Sequence, residues 1–403
     1  MQSPTQTVQN SSHHSLASKR FSRGDVGPLS IGALVFGYAV LWMLFRPAEE
    51  TWGSYIGQMF GAESILLLSI ALVLISTLPW VEIWFHGIDR AAIWHRRVAI
   101  IGLVLLAPHI LLASNPDSSQ RGPQLAVIGA VGLIALAIWA VLPRWRMMLP
   151  SFVISPILAV RDSWIGNSAA RLLGNYERWR SVHRITGLFV AAASVHALLD
   201  GSMFDDSPVL RWSFIAIGGI GLTFYVYREL LARHFSPFHD YQVESLKPVG
   251  NGIVEVSLAP LGQPLSFDPG QFVLLYVETK DGWEQHPFTV ASAPHEPLVR
   301  FTVKALGDYT SGIHTNLKPG MPAVISTPHG RFDWRTGTAN QVWIAAGVGV
   351  APFLSWLRSL DETLEHAIDF YYTSHGEAPF KEEILDIATR LPSLTVHFVD
   401  TRV

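Results

Sequence analysis

The amino-acid sequence predicts a multi-domain protein: a six-helix transmembrane bundle, then a small antiparallel β-barrel, then an α/β nucleotide-binding unit. Three observations carry this reading. Of 403 residues, 49% are hydrophobic and only 15% are charged, the balance of a membrane protein with a soluble part. Six long apolar stretches crowd the first 231 residues. Beyond about residue 236 the pattern changes to short alternating segments, then to strand–helix alternation. The absence of cysteine excludes disulfides, iron–sulfur clusters and thiolate-bound zinc. A net charge of −3 gives no reason to invoke nucleic acid.

In chain order, residues 1–27 are polar, rich in Ser, Gln and Thr, and lack the apolar core and cleavage site of a signal peptide. They read as a disordered cytoplasmic tail. The bundle follows over 28–235, with spans at roughly 29–45, 64–85, 94–113, 124–142, 184–200 and 210–231. About 20 apolar residues cross a hydrocarbon core of ~30 Å. The first, third and fifth stretches are short enough to be buried core helices in another setting, but six in one half of a chain favour spans. Lys19, Arg20 and Arg23 precede span one, and Arg90, Arg96 and Arg97 lie between two and three. Arg144, Arg146, Arg161, Arg171, Arg178, Arg180 and Arg184 lie between four and five, with Arg228 and Arg233 after six. The opposite loops hold only Arg46, Arg121 and Arg211, beside Glu49, Glu50, Asp205 and Asp206. The positive-inside rule then places both termini in the cytoplasm of a plasma or inner membrane.

Residues 236–336 contain YQVESLK, GIVEVSLA, GQFVLLYV, HPFTVASA, LVRFTVKAL and MPAVIST, bounded by Gly, Pro and Asp. That is the spacing of a small antiparallel barrel. Within it Val299, Phe301 and Val303 alternate with Arg300, Thr302 and Lys304, giving one apolar and one polar face. Residues 340–403 then read strand (VWIAA), Gly loop, helix, strand (IDFYYTS), helix, strand (LTVHFV), an α/β nucleotide-binding pattern.

Four histidines stand inside the apolar stretches: His95 and His109 are 14 residues apart, His183 and His196 are 13 apart. At about 1.5 Å rise per residue each pair spans roughly 20 Å, so spans three and five each carry one histidine near each membrane face. Any one of them reads equally well as a structural hydrogen-bonding residue. Four at matched spacing on two helices running the same way point to two bis-histidine haems, since neutral imidazole is a common axial ligand. Fourteen residues return to within about 40° of the starting face, but thirteen miss by about 140°. Either span five is distorted or its ligands approach from different sides. Arg96 and Arg184 suit haem propionates and suit inside-face topology equally. Gly187 would admit a porphyrin edge, and His86 reads as an interfacial residue.

Three motifs lie in the soluble part. His286-Pro287-Phe288-Thr289 opens HPFTVASAP, where an aromatic beside a hydroxyl can cover a flavin and bond its edge; alone, it is also an ordinary strand. FTVKALGDYT ends a strand in a Gly turn, with a helix expected near Tyr309 whose free N–H groups can hold pyrophosphate. AAGVGVAP places Gly347 and Gly349 between a buried strand and a Pro-started helix, a moderate dinucleotide signal.

The histidine spans followed by HPFTVASAP, FTVKALGDYT, STPHGRF and AAGVGVAPFLS resemble the ferric reductase and NADPH oxidase (NOX-like) flavocytochrome b superfamily over residues 29–403. The resemblance implies a six-helix domain with two b-type haems, an FAD-binding barrel and a ferredoxin-reductase-like NAD(P)H domain. Electrons would pass from NAD(P)H to FAD, inner haem, outer haem and an acceptor across the membrane, either a ferric chelate or O2. By position, His95 and His183 would ligate the inner haem, and His109 and His196 the outer one, with Phe189 between them. His286, Pro287, Phe288, Thr289 and Ser292 would contact the flavin, Lys304 and Thr310 the flavin or its phosphates, and Gly347 and Gly349 the nicotinamide dinucleotide. Arg46 resembles an arginine kept near the outer haem by the oxidase branch. Two departures stand out: Ala113 occupies a position where animal oxidases have a second histidine, and the family's Cys-Gly-Pro motif is missing, which implies a truncated sequence or an incomplete nicotinamide site. Rival expectations are a membrane subunit feeding an extracytoplasmic protein partner, and a non-catalytic haem- and FAD-binding paralogue. Lipid is the expected surroundings, and a homo-oligomer is compatible with the sequence.

Overall fold

The computed structural model describes residues 22–48, 50–113, 121–141, 176–232, 237–279 and 282–402. The tail up to residue 21, and Arg144, Arg146, Arg161, Arg171 and Arg233 of the cationic loops, lie outside the described residues.

Among the described residues, six helical segments are long and apolar enough to cross a membrane: Arg23–Leu44, Trp52–Leu74, Ile88–Leu112, Gly122–Ala140, Arg178–Asp200 and Pro208–Leu231. Within them run α1 (Val26–Leu44), α2 (Trp52–Leu74), α4 (Ile88–Leu112), α5 (Gly122–Val141), α6 (Tyr176–His183), α7 (Thr186–Asp200) and α8 (Pro208–Val226), while the short α3 (Pro79–Trp84) follows α2. The centre of the bundle is α2. Its apolar stretch is 61% buried, against 11–22% for the other five, and it packs on α1, α4, α7 and α8.

The second span therefore starts at Trp52, not near residue 64. Thr51 caps it by accepting the Ser54 N–H at 3.4 Å, and it ends before Thr77, whose φ is +58°, and Pro79, which opens α3. Hydropathy hid its first half because Ser54, Glu63 and Ser64 dilute the pattern. All three face the interior, exposed by only 7%, 4% and 0%.

The fifth span is broken. Between α6 and α7 the Ile185 N–H bonds the Val182 carbonyl at 3.1 Å and the Leu188 N–H the Ile185 carbonyl at 2.9 Å, both over three residues rather than four, a tightened turn. The Thr186 hydroxyl donates to the freed His183 carbonyl at 2.5 Å. This break removes the mismatch between spacings of 14 and 13, because His183 and His196 sit on different helices.

The soluble part begins with β1 (His239–Gly250), β2 (Ile253–Pro260), β3 (Phe272–Thr279), β4 (Gly282–Thr289), β5 (Val299–Lys304) and β6 (Pro322–Ile325), with α9 (Asp308–Asn316) between the last two. They form one antiparallel sheet in the order β4-β3-β6-β1-β2-β5. Its end strands meet where Val290 bridges Phe301 and the Ala291 N–H bonds the Arg300 carbonyl at 2.8 Å, so the sheet curls into a barrel with a short seam. Val243, Val256, Leu258, Val273, Leu275, Phe301 and Ile325 fill it, each worth about 1.5–3 kcal/mol of burial. The expected polar face of β5 holds only in part. Thr302 is buried too, and its register partner Glu255 on β2 lies under the next unit.

That unit carries β7 (Asn340–Ala346), β8 (Ala367–Ser374) and β9 (Leu394–Asp400), parallel and in sequential order, crossed by α10 (Ala351–Ser359) and α11 (Lys381–Arg390). Trp343, Phe353, Trp356, Phe370 and Tyr372 make its core. The other sheet face presents Val342, Ile344 and Tyr371 to the exterior.

Candidate cofactor sites

The four histidines meet in two pairs. Ring centroids of His95 and His183 are 6.4 Å apart with planes at 90°, and those of His109 and His196 are 6.4 Å apart at 65°. The rings are neither stacked nor hydrogen-bonded to each other. Imidazole nitrogens about 2.0 Å from a shared metal, on opposite sides of it, place ring centroids about 6.3 Å apart.

On three of these rings Nδ1 is already engaged. His95 Nδ1 meets the Ala71 carbonyl at 2.9 Å and His109 Nδ1 the Gly57 carbonyl at 3.0 Å, both on the central α2. His196 Nδ1 meets Asp200 Oδ2 at 3.2 Å. A metal-binding histidine commonly donates its second N–H in this way, which fixes the ring and leaves Nε2 for the metal. His183 instead stacks on Trp179, with centroids 4.9 Å apart. Among the described residues no three His, Asp or Glu side chains cluster to hold a metal ion unaided, so each pair offers two ligands and no more. That donor set fits a macrocycle that supplies the rest.

Other predicted neighbours fall into two groups. Phe189 packs against the buried cluster that contains Leu68, Leu72 and Leu133. Arg96 is exposed, whereas Arg184 Nε donates to Glu229 at 2.5 Å. The missing Cβ of Gly187 makes room for the Tyr225 ring rather than for a free edge. His86 lies beside Asp25 and Ser22.

In the barrel, His286, Pro287, Phe288, Leu306, Gly307, Tyr309 and Thr310 line one cavity of about 390 Å³. Its shape follows from the strand–turn–helix. Thr310 Oγ1 accepts the Leu306 and Gly307 N–H groups at 3.1 Å each, opening α9 beside β4, and His286 stacks on Tyr309 at 3.6 Å. The Tyr309 hydroxyl is buried with no partner among the described residues, and burial pushes its pKa above the ordinary tyrosine value. An orphaned donor in a cleft of this outline fits a flavin ring. Thr289 ends β4, paired with Phe272. Lys304, at the end of β5, makes no ion pair with a described residue. Ser292 does not reach the cleft: it is fully buried, accepts the Arg300 N–H at 3.2 Å and offers its carbonyl to Ser355. Its place is the seam between the two soluble units.

Gly347 follows β7 with φ +52°, the left-handed region that favours glycine. Around both Gly347 and Gly349 an added Cβ would meet nothing within 4 Å, so the backbone lies open ahead of the Pro-started α10, a fit for a dinucleotide phosphate. Asp200 and Trp179 were not singled out from sequence, although both stand four residues from a histidine, which is one helical turn. Glu63, buried in mid-α2 with neither carboxylate oxygen partnered among the described residues, was also missed.

A family model described as an FAD-binding domain matches residues 239–340. The superoxide-generating NADPH oxidase heavy chain of Dictyostelium discoideum is 22% identical over 359 residues, which is 81% of this chain and 66% of that protein. Human NADPH oxidase 3 is 29% identical over 142 residues, 32% of this chain and 23% of that protein. The glycine betaine monooxygenase reductase subunit of Chromohalobacter salexigens is 31% identical over 144 residues, 34% of this chain and 39% of that protein. The chain thus spans less than two thirds of the length of these curated relatives. Among solved structures, a flavohemoglobin from Malassezia yamatoensis with bound FAD and heme aligns with 85% of this chain and 81% of its own at 17% identity and a TM-score of 0.41.

Proposed function

We propose that the chain is a NOX-like transmembrane oxidoreductase of the ferric reductase and NADPH oxidase kind, moving electrons from cytoplasmic NAD(P)H, through FAD and two b-type haems, to an acceptor on the far side. The observation that carries this is the pair of histidine couples, each 6.4 Å across, at two heights of one bundle. Bound there, a flavin would supply the means to take the two electrons of one hydride and release them singly, and haem iron the means to carry one at a time.

The protein's own residues hold and orient. His95 with His183 would hold the inner haem and His109 with His196 the outer one, the rings of His95, His109 and His196 held by Ala71, Gly57 and Asp200 and that of His183 by Trp179. His286, Phe288 and Tyr309 would wall the flavin, the Tyr309 hydroxyl donating to its edge, with Lys304 near phosphate. Gly347 and Gly349 let the nicotinamide dinucleotide approach α10. No side chain needs to move a proton for the haem steps.

A reduced-minus-oxidised spectrum of purified protein, with NADH or NADPH as donor and ferric chelate or O2 as acceptor, tests the proposal. Two bis-histidine haems are expected, and His95→Ala and His109→Ala should each lose one. Absence of any Soret change on reduction sinks the reading. Activity only with an added extracytoplasmic protein would make the chain a feeding subunit instead.

A further inference from the structure

The flavin barrel is joined to the membrane bundle at a buried contact that none of the cofactor-site residues supplies. Glu82 on α3 is 6% exposed, and its Oε1 lies 2.6 Å from His329 Nδ1. Its other oxygen accepts the Gly330 N–H at 3.4 Å. The two residues are 247 positions apart in sequence, and the side chains of His329 and Glu82 are 15% and 8% exposed, so this is an internal joint rather than a surface ion pair. Beside it, the position where Gly87 would carry a Cβ lies 3.9 Å from Cβ and Cγ of Arg331. The segment His329–Arg331 therefore rests on α3 and the turn that follows it.

Both ends of the joint lead to a cofactor site. His329 exchanges two backbone hydrogen bonds with Phe272, at 2.8 and 2.9 Å, and Phe272 is the register partner of Thr289 on the flavin strand β4. On the membrane side, Phe85 lies one turn beyond Glu82. Its ring is 6.4 Å from that of Trp94, the residue next to His95. The shelf is stiff: Val81 and Phe85 are buried in the bundle core, with positive φ at Thr77 and His86 bracketing α3.

We propose that Glu82 and His329 form the lock that seats the flavin barrel on the inner end of the bundle and sets the distance from the flavin strand to the inner histidine pair. They are positioning residues, since neither lines a cofactor site, and the proposal rests on the electron-transfer function above. Electron transfer falls off exponentially as the gap between donor and acceptor widens, so a barrel freed from this seat would pass electrons to the inner histidine pair more slowly.

The test is stopped-flow reduction of full-length protein by NADH or NADPH, following flavin bleaching and the Soret band separately, for wild type, Glu82→Ala, His329→Ala and the double variant. Flavin content and bleaching should be unchanged, haem reduction should slow about tenfold or more, and the double variant should be no slower than either single, as expected for residues acting as one contact. An unchanged haem step, or single effects that multiply in the double, overturns the proposal. Amide exchange over 329–332 is read on the same proteins. Protection in wild type that is lost in both single variants supports the lock even if the wild type reduces no haem, an outcome that would sink the electron-transfer reading alone. Exchange that is identical in all four proteins overturns it.

Discussion

Arg358 shows how a single residue ties the soluble units together. It is 5% exposed in its side chain and reaches three elements at once: Glu255 on β2 at 2.8 Å, Glu383 on α11 at 2.7 Å and the Ala291 carbonyl at the seam at 2.9 Å. Burial alone would lower its pKa, but its bonds to Glu383 and Glu255 raise it above the ordinary guanidinium value. Burial likewise would raise Glu383, yet the Arg358 hydrogen bond holds that carboxyl below its usual 4.5. A carboxylate depressed on folding contributes stability that is present above the unfolded pKa and is lost as pH falls through the folded one. Arg358→Met should cost about 3–5 kcal/mol, because Glu255 is left buried without its counter-charge, and a flavin-fluorescence melt reads this directly. Glu383→Gln should cost less at pH 7, and its difference from wild type should shrink as the melts are taken below pH 4.5. A difference that persists unchanged in acid would remove the ion pair from the account. None of this network was visible in the sequence: Glu255 and Arg358 lie 103 positions apart, and nothing local marks either as paired.

Whole elements were easier to anticipate than their ends and breaks. Length and apolar content located six spans, alternation located all six barrel strands, and the spacing of His95, His109, His183 and His196 picked out a quartet that the bundle gathers into two pairs. The start of α2 was not legible, because a helix at the centre of a bundle can afford Ser54, Glu63 and Ser64 where a lipid-facing one cannot. The 13-residue spacing left a distorted span five as one of two readings, but the place of the break at Arg184–Ile185 was not legible, since no proline or glycine stands there. It is nevertheless what brings His196 into register with His109. Inserting one alanine between Leu188 and Phe189 tests this, as it turns α7 by about 100° and advances it about 1.5 Å. His196 should leave its partner while His95 and His183 stay paired, so the haem-to-protein ratio should fall from two to one with the inner spectrum retained. Retention of both haems would show that α7 is not held in a single register.

At the scale of the whole molecule, the charges and the soluble units agree on one side. Arg90, Arg96, Arg97, Arg178, Arg180, Arg184 and Arg228 gather at the end of the bundle where α2 finishes and the barrel is seated. At the other end Arg46 bonds the Glu50 carbonyl at 2.5 Å, and Arg211 lies 3.7 Å from Asp205, so these outer cations are offset by local acceptors. Positive-inside orientation then predicts that the flavin and dinucleotide sites face the cytoplasm. Vesicle orientation makes the consequence measurable, because NAD(P)H does not cross a bilayer. Inside-out vesicles should oxidise added NAD(P)H at once and deliver electrons to an acceptor trapped in the lumen. Right-side-out vesicles should be silent until detergent opens them, and then show the same rate per protein. Equal activity in both intact preparations would mean that the sites are not confined to one face. Activity in right-side-out vesicles alone would reverse the orientation and, with it, the assignment of His95 and His183 as the inner pair.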